Sequence, residues 1–581
     1  MKFPPSHRSV FSEVGRVRRT RRHLDIHRSS STRQPRRGAF GERALPRTLL
    51  LLLILLFPLP VGQAKEISII ILHTTDLHAT ILPTTDYDGK PDVGGAARCA
   101  AMIKKIRAAD KNVLLVDAGD LYQGSALGWL TEGSVMTRYV NALQYDAWEL
   151  GNHEFDWGIE KISARLAETK IPVLAANLHH KPEASTPAAI TDAFKKIQPY
   201  IIREVEGVKV GIVGIDTPGI PNWSRPRLIP GITLETPVDA LKRVIPEMKA
   251  AGCKILVLVT HQGIREQGDD HANQLNAVTK AFPELDVVIG GHTHRLHPQQ
   301  SLNGVLYTQA NYWGTYLGRV DLAFDTATNK LVSKKSQAIP MDSSVPMDEE
   351  LLALLKPQLD DAEKFLATKV GETADIMHAR SLAVGTKKET PLFNLLCASI
   401  AESIESHGGK VDAVLHGVLS ERAVLQPGPI TMRDIFEVVP YENTIGVATL
   451  TRDQLVEILE ENATAWSSDR VRYLWGMTMK LSPSSPAGKR VVFVGDRDGK
   501  SLPADGTFRV AFNSYDLASG GTRWKRLREI VDTPEARLKE YDFQTRDALV
   551  EYIKKHSPLK AETREWLSIE RKPGLKEKPS P

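Results

Sequence analysis

The sequence lacks several features that would mark a specialised class of protein. It has only three cysteines in 581 residues, Cys99, Cys253 and Cys397, and an odd, widely spaced set cannot form a complete disulfide framework. We find no internal repeat, so a repeat architecture is not indicated. We therefore predict that the three cysteines are free thiols and that they are buried.

An excess of charge of one sign is also missing from most of the chain. The net charge of +5 arises in residues 1–47, which hold 13 Lys or Arg and 3 Asp or Glu, whereas the remaining residues hold 62 basic and 67 acidic side chains. A basic body that binds nucleic acid polymers is therefore not supported.

Residues 1–64 have the pattern of an export signal. The basic leader is followed by the uncharged run TLLLLLILLFPLPVGQA at 48–64, which Pro58 and Pro60 interrupt and which falls short of the roughly 20 residues of a bilayer span. The pattern predicts a signal peptide that is cleaved near Ala64 and a periplasmic or secreted protein. An uncleaved membrane anchor is the alternative.

From residue 67 onward, short β-branched runs alternate with helical patterns, which indicates an α/β fold. The predicted strands begin with ISIIIL at 67, NVLLVD at 112, IPVLAAN at 171, VKVGIVGID at 208, KILVLVT at 254 and LDVVIGG at 285. Helices are predicted near 95–109, 133–143 and 237–250. GVLYTQ at 304 and LGRVDLAF at 317 follow without a helix between them, so we expect neighbouring antiparallel strands that close the first domain.

The length of the chain suggests two or three domains. We predict a first domain at 65–340, a charged linker helix with Pro357 inside it at 341–369, a second α/β domain at 370–560, and a tail at 561–581. In the second domain, helices are expected at 390–405 and 452–463, and strands at 411–415, 444–450 and 507–512.

Five groups of metal-binding residue types follow predicted strands of the first domain. In α/β sheets, ligands gather at the carboxyl ends of strands, so these positions are informative. The groups are Asp76 and His78 in HTTDLH, Asp120 in VDAGDLYQG, Asn152 in GNHEFD, His261 in VTHQG, and His292 and His294 in GGHTH. Carboxylate, imidazole and amide ligands without a thiolate suit Zn, Mn, Co or Fe.

Seven ligand side chains are too many for one ion, so the pattern predicts two divalent ions that share a bridging carboxylate. Asp117 is an alternative to Asp120, but we favour Asp120 because it follows the turn at Gly119. His73 is expected to be structural.

Together, these ordered motifs resemble the exported 5'-nucleotidase/UDP-sugar hydrolase family of calcineurin-like metallophosphoesterases. The resemblance covers residues 66–325 with specific motifs and residues 370–550 more loosely. It implies an N-terminal four-layer α/β/β/α metallophosphoesterase domain and a smaller C-terminal α/β domain that binds the substrate. It also implies that Asp76, His78, Asp120 and His294 hold one ion, and that Asp120, Asn152, His261 and His292 hold the other.

By the same resemblance, the chain is a phosphohydrolase that releases phosphate from nucleotides or related small phosphate esters through attack of a metal-bridging hydroxide. His153 would face the substrate, where it stabilises developing charge or protonates the leaving oxygen, and Asp156 would hold its ring. The alternative for Glu154 and Asp156 is that they cap the helix that starts near Gly158.

The match to the substrate-binding part of the family is uneven. Candidate contacts are Lys388 in KKETPL, Arg422 in LHGVLSERAVLQPG, Tyr441 and Asn443 in VVPYEN, and Tyr515 in SYDLASGGTRW. Lys388 stands where the family usually has Arg, and Thr522 replaces an Asp that contacts the sugar or base. The metal motifs are therefore intact, whereas the recognition pocket departs from the family.

Three other functions are compatible with these motifs. The chain would be a phosphodiesterase or pyrophosphatase on cyclic nucleotides or UDP-sugars, a hydrolase of thiosulfate-type groups, or a non-catalytic binding protein on the same scaffold. Since relatives that lose activity usually lose ligands first, and all expected ligand positions are present, we favour an enzyme. The sequence does not indicate the oligomeric state.

Overall fold

The computed structural model describes residues 65–379, 390–417, 420, 422–464, 472–564 and 566–570. All of them belong to one compact unit, Gly62–Pro581. The predicted signal at 1–64, Lys388 and residues 571–581 lie outside the described residues. Within the described ranges, no helix has both the length and the apolar character that a membrane span requires.

The first body is built from strands and helices that alternate along residues 65–366. Its strands are β1 (Glu66–Thr74), β2 (Val113–Asp117), β3 (Ala147–Glu149), β4 (Val173–Leu174), β5 (Leu178–His180), β6 (Tyr200–Val205), β7 (Val208–Ile215), β8 (Ile232–Leu234), β9 (Ile255–Thr260), β10 (Val287–Ile289), β11 (Leu296–Leu302), β12 (Val305–Ala310), β13 (Tyr316–Asp325) and β14 (Lys330–Pro340). Its helices are α1 (Ala96–Ala109), α2 (Ala126–Leu130), α3 (Ser134–Ala142), α4 (Ile159–Glu168), α5 (Ala188–Phe194), α6 (Pro237–Ala250), α7 (Leu275–Ala281) and α8 (Glu349–Leu366), with 3₁₀ turns at Asn152–Phe155 and Ile220–Asn222.

Two six-stranded sheets stack face to face in this body. Their strand orders are β14-β13-β1-β2-β3-β4 and β11-β12-β10-β9-β7-β6. Ile69 and Ile71 of β1 point into the core between the sheets, while Ile70 and Leu72 point outward onto helices α1, α3 and α4. Helices α6 and α7 cover the outer face of the second sheet. Both faces of the central strands are therefore buried, as their continuous apolar runs require, and the architecture is the predicted four-layer α/β/β/α arrangement.

The expectation that residues 304–309 and 317–324 form neighbouring strands is wrong. Strand β12 pairs with β10 and β11 in the second sheet, whereas β13 pairs with β1 and β14 in the first. The segment between them crosses from one sheet to the other, with Asn311 and Trp313 at φ 68° and 51°. This crossing also brings the N–H of Trp313 to the carbonyl oxygen of Asp76 at 2.8 Å, so it supports one edge of the candidate site.

The second body is a smaller α/β unit. Its strands are β15 (Lys369–Thr373), β16 (Met377–His378), β17 (Ala413–His416), β18 (Val424–Leu425), β19 (Gly428–Thr431), β20 (Thr444–Thr451), β21 (Tyr473–Trp475), β22 (Thr478–Leu481), β23 (Val491–Gly495), β24 (Thr507–Asn513), β25 (Lys539–Gln544) and β26 (Leu567–Ile569). Its helices are α9 (Pro391–Ser406), α10 (Met432–Val438), α11 (Arg452–Thr464), α12 (Ser514–Leu517), α13 (Lys525–Val531) and α14 (Thr545–His556), with a 3₁₀ turn at Pro534–Ala536.

The central sheet of this body has the order β21-β17-β24-β20-β25. Helices α9 and α14 pack on one face, and α11 and α13 pack on the other. Strand β26 pairs with β22 in parallel, so part of the segment 561–581 that we predicted to be a tail belongs to a sheet.

The two bodies contact each other through α8 and through the loop at 219–228. The Trp129 ring of α2 lies 5.6 Å from Phe365 of α8 and 5.8 Å from Phe436 of α10. In the loop, Arg225 forms an ion pair with Asp532 at 2.9 Å. These contacts place the second body over the strand ends of the first.

The three cysteines are free and buried, as predicted. Burial raises the pKa of the Cys99 thiol to about 12. A thiol of this kind stays protonated and packs as a small apolar side chain.

Candidate metal centre

The predicted ligands come together because five strands end at the same edge of the two stacked sheets. Strands β1, β2 and β3 run parallel in the first sheet, and β9 and β10 run parallel in the second. The loop after each strand carries at least one of the predicted ligands. These ligands are Asp76, His78, Asp120, Asn152, His261, His292 and His294.

Four of these residues form a compact group. One ligand atom from each of Asp76, His78, Asp120 and His294 lies within 4.8 Å of the others. The Nε2 atoms of His78 and His294 are 3.0 Å apart, and Nε2 of His294 is 3.3 Å from Oδ1 of Asp76. This spacing allows all four atoms to reach a single cation.

The remaining ligands extend the group on the other side of Asp120. Nε2 of His261 lies 2.9 Å from Oδ2 of Asp120, and Nδ1 of His292 lies 2.9 Å from Oδ1 of Asn152. The Asp120 carboxylate also approaches His78, since its Oδ2 is 3.9 Å from Nε2 of that ring. Asp120 therefore lies between the two groups, where a shared ligand would have to be.

The backbone at this edge is held in an unusual conformation. Asp76, His78, Asp120, His292 and His294 all have positive φ angles between 48° and 70°. Left-handed backbone is uncommon for residues other than glycine and costs roughly 1–3 kcal/mol per residue when it is strained. Its concentration at five predicted ligands indicates that the loops are shaped for the site.

Two glycines allow the loops to approach each other. Gly119 has φ 90°, and a Cβ atom there would lie 2.8 Å from Nδ1 of His261. A Cβ atom on Gly151 would lie 2.2 Å from Oδ1 of Asp120. Any larger residue at these positions would push the Asp120 loop away from its neighbours.

The donor set fits divalent cations. His78 donates from Nδ1 to the carbonyl oxygen of Gln123 at 2.5 Å, and His261 donates from Nδ1 to the carbonyl oxygen of Ala118 at 2.7 Å. These bonds hold each ring with its Nε2 facing the site, where Nε2 of His261 meets the Asp120 carboxylate at 2.9 Å. Burial lowers the pKa of His261, but the charge of Asp120 and its hydrogen bond outweigh burial and raise the pKa to about 10, so this ring would release a proton when it binds a metal ion. Burial also lowers the pKa of His78 and of His292 to about 3, which keeps both rings in the neutral form that binds metal ions.

The structure gives different roles to Asp117, the last residue of β2, and Asp120, in the loop that follows. Thr74 donates to Oδ2 of Asp117 at 2.6 Å, and the N–H of Gly119 donates to its Oδ1 at 2.8 Å. Asp117 therefore holds the turn, and Asp120 points into the site. His73 is fully buried beneath Gly318 and is not among the four residues of the compact ligand group, which fits a structural role.

His153 lies beside the ligand group and is oriented by Asp156. Its Nδ1 is 2.5 Å from Oδ2 of Asp156, and its backbone N–H donates to Oδ1 of Asp120 at 2.8 Å. Burial lowers the pKa of His153, but the charges of Asp156 and Asp120 outweigh burial and raise it to about 9. These carboxylates therefore favour the cationic ring at neutral pH, the form that can stabilise an anion or donate a proton.

Glu154 has a role that the helix-cap alternative does not describe. Its carboxylate accepts hydrogen bonds from four backbone N–H groups, those of Asp120, Leu121, Tyr122 and Gly151, at 2.6–3.1 Å. The side chain thus ties the Asp120 loop to the Asn152 loop. The only signal for this in the sequence is that Glu154 directly follows Asn152 and His153.

The predicted substrate residues lie in different surroundings. The Tyr441 ring stacks on His153, with centroids 5.2 Å apart and an interplanar angle of 20°. Oδ1 of Asn443 accepts from Ser514 and from the N–H of Tyr515 at 3.2 Å each, so it orients the Tyr515 segment. Arg422 is exposed and donates to the carbonyl oxygen of Asp86 at 3.4 Å.

Several aromatic and polar residues near the centre were not identified from the sequence. Tyr87 stacks on His294, with centroids 6.0 Å apart, and Trp223 packs 5.0 Å from the His292 ring. With its amide nitrogen turned toward Asp156, Gln123 donates to that carboxylate, and its oxygen accepts from the N–H of Glu442 at 3.0 Å. Tyr87 and Trp223 lie in loops without metal-binding motifs, so only the fold reveals their positions.

Two family models match the two bodies. The calcineurin-like phosphoesterase family matches residues 69–296, and the 5'-nucleotidase C-terminal domain matches residues 369–529. The first match contains all seven predicted ligands.

Individual relatives agree with the family models. The trifunctional nucleotide phosphoesterase protein of Bacillus subtilis (strain 168) is 25% identical over 572 residues; the match covers 82% of this chain but 38% of that protein, so the chain spans well under half of that relative. The 2',3'-cyclic-nucleotide 2'-phosphodiesterase/3'-nucleotidase of Salmonella typhimurium is 27% identical over 548 residues, which cover 79% of this chain and 82% of the relative. The crystal structure of a 5'-nucleotidase precursor from Thermus thermophilus aligns with a TM-score of 0.65 and 26% identity, covering 87% of this chain and 100% of the other.

The family matches, the architecture and the ligand geometry agree with one another. The N-terminal family uses divalent metals, and the donor set at the strand ends fits such ions. The chain therefore belongs to the 5'-nucleotidase family of calcineurin-like metallophosphoesterases and is a metal-dependent phosphoester hydrolase.

Proposed function

We propose that the chain is an exported phosphohydrolase with a dinuclear metal centre, and that it releases phosphate from nucleotides or related small phosphate esters. The observation that carries the proposal is the approach of Asp76, His78, Asp120 and His294 to within 4.8 Å of one another at the ends of strands that lie far apart in sequence. The names of the Bacillus and Salmonella relatives support nucleotide substrates.

We assign Asp76, His78, Asp120 and His294 to one ion and Asp120, Asn152, His261 and His292 to the other. The ligand types suit Zn, Mn, Co or Fe. When bound, a pair of divalent ions lowers the pKa of a water molecule toward neutrality and neutralises charge on the phosphoryl oxygens. The protein's own part is to hold Asp120 between the two groups, which the Glu154 carboxylate and the close approach at Gly151 achieve.

His153 is the proposed general acid. Its cationic ring donates a proton to the oxygen of the leaving group as the bond between phosphorus and that oxygen breaks. Asp156 holds the ring through the 2.5 Å hydrogen bond to Nδ1, so the other nitrogen, Nε2, carries the transferable proton. Tyr441 covers one face of the ring and limits its motion.

We assign the metallophosphoesterase domain to 65–340, the linker to 341–368 and the substrate-binding domain to 369–569, because β15 begins at Lys369 and β26 pairs with β22. In the last of these, Tyr441 and Tyr515 supply aromatic surface, while Asn443 orients Tyr515. Arg422 and Lys388 are the proposed cationic contacts for the substrate. Thr522, whose hydroxyl lies 3.5 Å from Nδ1 of His271, marks the difference from the family pocket.

The apolar segment at 48–64 supports export, followed by cleavage near Ala64, to the periplasm or the cell exterior. A phosphodiesterase activity is the second candidate function. The name of the Salmonella relative supports it, and it would use the same metal centre with a different pocket.

A substrate panel tests the proposal. Purified protein should hydrolyse AMP and p-nitrophenyl phosphate, chelator should abolish turnover, and re-addition of Mn, Zn, Co or Fe should restore it. Phosphate release measures the first reaction, and the absorbance of p-nitrophenol measures the second. Turnover that persists in excess chelator, or no turnover with any of these ions, would contradict the proposal.

A further inference from the structure

The side chain of Gln123 lies between the two bodies, beside the proposed general acid. It is buried, in the loop after β2 that also carries Asp120. Its amide nitrogen donates to Oδ2 of Asp156, the oxygen that also bonds to Nδ1 of His153, and its amide oxygen accepts from the N–H of Glu442 at 3.0 Å. The reverse orientation would place oxygen against oxygen and N–H against N–H, so the amide has one favourable orientation.

The backbone of Gln123 is held separately from its side chain. Its carbonyl oxygen accepts from Nδ1 of His78 at 2.5 Å. The next residue, Gly124, packs on the same histidine, since a Cβ atom there would lie 2.5 Å from Cβ of His78. A change confined to the Gln123 side chain therefore leaves the support of this proposed metal ligand in place.

The partner of Gln123 in the second body is itself held in place. Glu442 is buried, and its carboxylate lies 3.2 Å from Nε of Arg546 in α14. Nε of Arg546 also donates to the carbonyl oxygen of Val439 at 2.9 Å, and the guanidinium carbon lies 3.8 Å from the centroid of the Phe436 ring. The N–H that reaches Gln123 therefore belongs to a segment that α14 fixes.

The orientation of the Asp156 carboxylate is the property that Gln123 controls. The torsion that rotates an aspartate carboxylate has a broad minimum, so a single bond to His153 leaves it free to turn, whereas a second donor on the same oxygen fixes it. A general acid has to lie within hydrogen-bond reach of the leaving oxygen. Because a misplacement of about 1 Å can reduce a rate about 10²-fold, the second donor matters for proton transfer.

We propose that Gln123 is a positioning residue that holds the Asp156 carboxylate in the orientation that directs His153, and that the N–H of Glu442 holds Gln123 in turn. The second body thereby acts on the general acid of the first body through a backbone N–H and one amide side chain. The inference rests on the proposed function and adds the regulation of its general acid.

Two phosphomonoesters that differ in their need for a proton provide the test. p-Nitrophenyl phosphate releases a phenolate that is stable as an anion, whereas p-nitrobenzyl phosphate releases an alkoxide that has to be protonated. The readout is the ratio of kcat/KM for the benzyl ester to kcat/KM for the phenyl ester, in which the amounts of folded and metal-loaded protein cancel. His153→Ala removes the acid and should reduce this ratio about 10²-fold.

Gln123→Met keeps the length of the side chain but removes both hydrogen bonds, so it should reduce the ratio about tenfold. Gln123→Leu also lacks both bonds and carries the same expectation, so the test does not depend on the folding of one variant. Arg546→Lys loosens the Glu442 segment and should reduce the ratio about threefold. The double variant Gln123→Met/Arg546→Lys should match Gln123→Met alone, because both changes act through one amide. Gln358→Met, the same change at a partly buried glutamine of α8, should keep the wild-type ratio.

A wild-type ratio in both Gln123 variants, when His153→Ala lowers it, would overturn the inference and leave the proposed function standing. Effects of Gln123→Met and Arg546→Lys that multiply in the double variant would also overturn the inference, because the second body would then not act through Gln123. A wild-type ratio in His153→Ala would overturn the proposed acid, and the inference with it. No turnover of either ester by the wild-type protein would overturn the proposed function.

Discussion

Histidines a few ångströms apart at this centre have opposite protonation tendencies. Burial lowers the pKa of His78 and of His292 to about 3. Burial also disfavours the cationic form of His153, but the charges of Asp156 and Asp120 outweigh burial and raise its pKa to about 9. The same side chain is thus kept neutral at two of the proposed ligand positions and cationic at the position of the proposed general acid, because their neighbours differ.

Replacing His153 should separate metal binding from catalysis. In His153→Ala, we expect kcat for AMP to fall about 10²- to 10⁴-fold, the typical contribution of a positioned general acid. The metal content should stay at the wild-type level because the ring is not among the proposed ligands. His179→Ala is the matched control, since that histidine is exposed and pairs with Glu235 at the surface. Wild-type kcat in His153→Ala, or loss of metal together with kcat, would remove His153 from the assigned role.

At the scale of single residues, the sequence predicted the candidate metal ligands better than it predicted the residues around the substrate. Asp120 was preferred to Asp117 because of a local feature, the Gly119 turn, and the hydrogen bonds to Asp117 agree with that choice. Tyr87 and Trp223 were missed because their approach to His294 and His292 depends on the paths of distant loops. A short sequence motif reflects the local geometry of the backbone, but it carries no information about contacts between loops that are distant in sequence.

At the scale of strands and helices, the alternation of apolar runs predicted the parallel strands β1, β2, β7 and β9 correctly. Both faces of these strands are buried, so their composition is distinctive. The edge strands β11 and β14 were not predicted, since their exposed faces carry polar residues. The partition of β12 and β13 between two sheets was also missed, because strand pairing is decided by long-range contacts and not by local sequence.

A pair of buried carboxyl groups connects the two sheets near the site. Glu149 ends β3, and Asp216 directly follows β7; both side chains are fully buried. None of their four oxygens receives a hydrogen bond from an N–H or hydroxyl donor, but the two carboxyl groups bond to each other. Burial raises the pKa of Glu149 well above its usual value and raises that of Asp216 to about 7. These shifts favour one proton shared between the two carboxyl groups in the folded protein.

This pair predicts a stability that falls with pH. The folded state binds more protons than the unfolded chain above the unfolded pKa of about 4, so stability decreases as pH rises toward the folded pKa of Asp216, about 7. The slope is at most about 1.4 kcal/mol per pH unit for each proton. In Glu149→Gln, a neutral amide donates to the Asp216 carboxylate, so the decline should be smaller.

The Tm of chelated protein between pH 5 and pH 8 measures this effect. Glu247→Gln, an exposed change of the same kind in α6, should decline in parallel with the wild type. If Glu149→Gln also declines in parallel with the wild type, the two carboxyl groups do not share a proton.

At the scale of the whole molecule, the second body lies close over the metal centre. Arg225 pairs with Asp532, Arg227 donates to Thr444 at 2.8 Å, and the N–H of Gly521 donates to the carbonyl oxygen of Asn222 at 3.2 Å. These contacts bring Tyr441 of the second body onto His153 of the first. No sequence motif predicted this arrangement, because each contact joins residues more than 200 positions apart.

The central claim is that loops from two sheets hold a pair of divalent ions around the shared carboxylate of Asp120. Elemental analysis of the purified protein, expressed as metal ions per chain, tests it most directly. We expect about two ions per wild-type chain and fewer than one in Asp120→Ala, because removing a shared ligand weakens both sites. One ion or none in the wild type after exposure to Zn, Mn, Co and Fe, or two ions retained in Asp120→Ala, would contradict the claim.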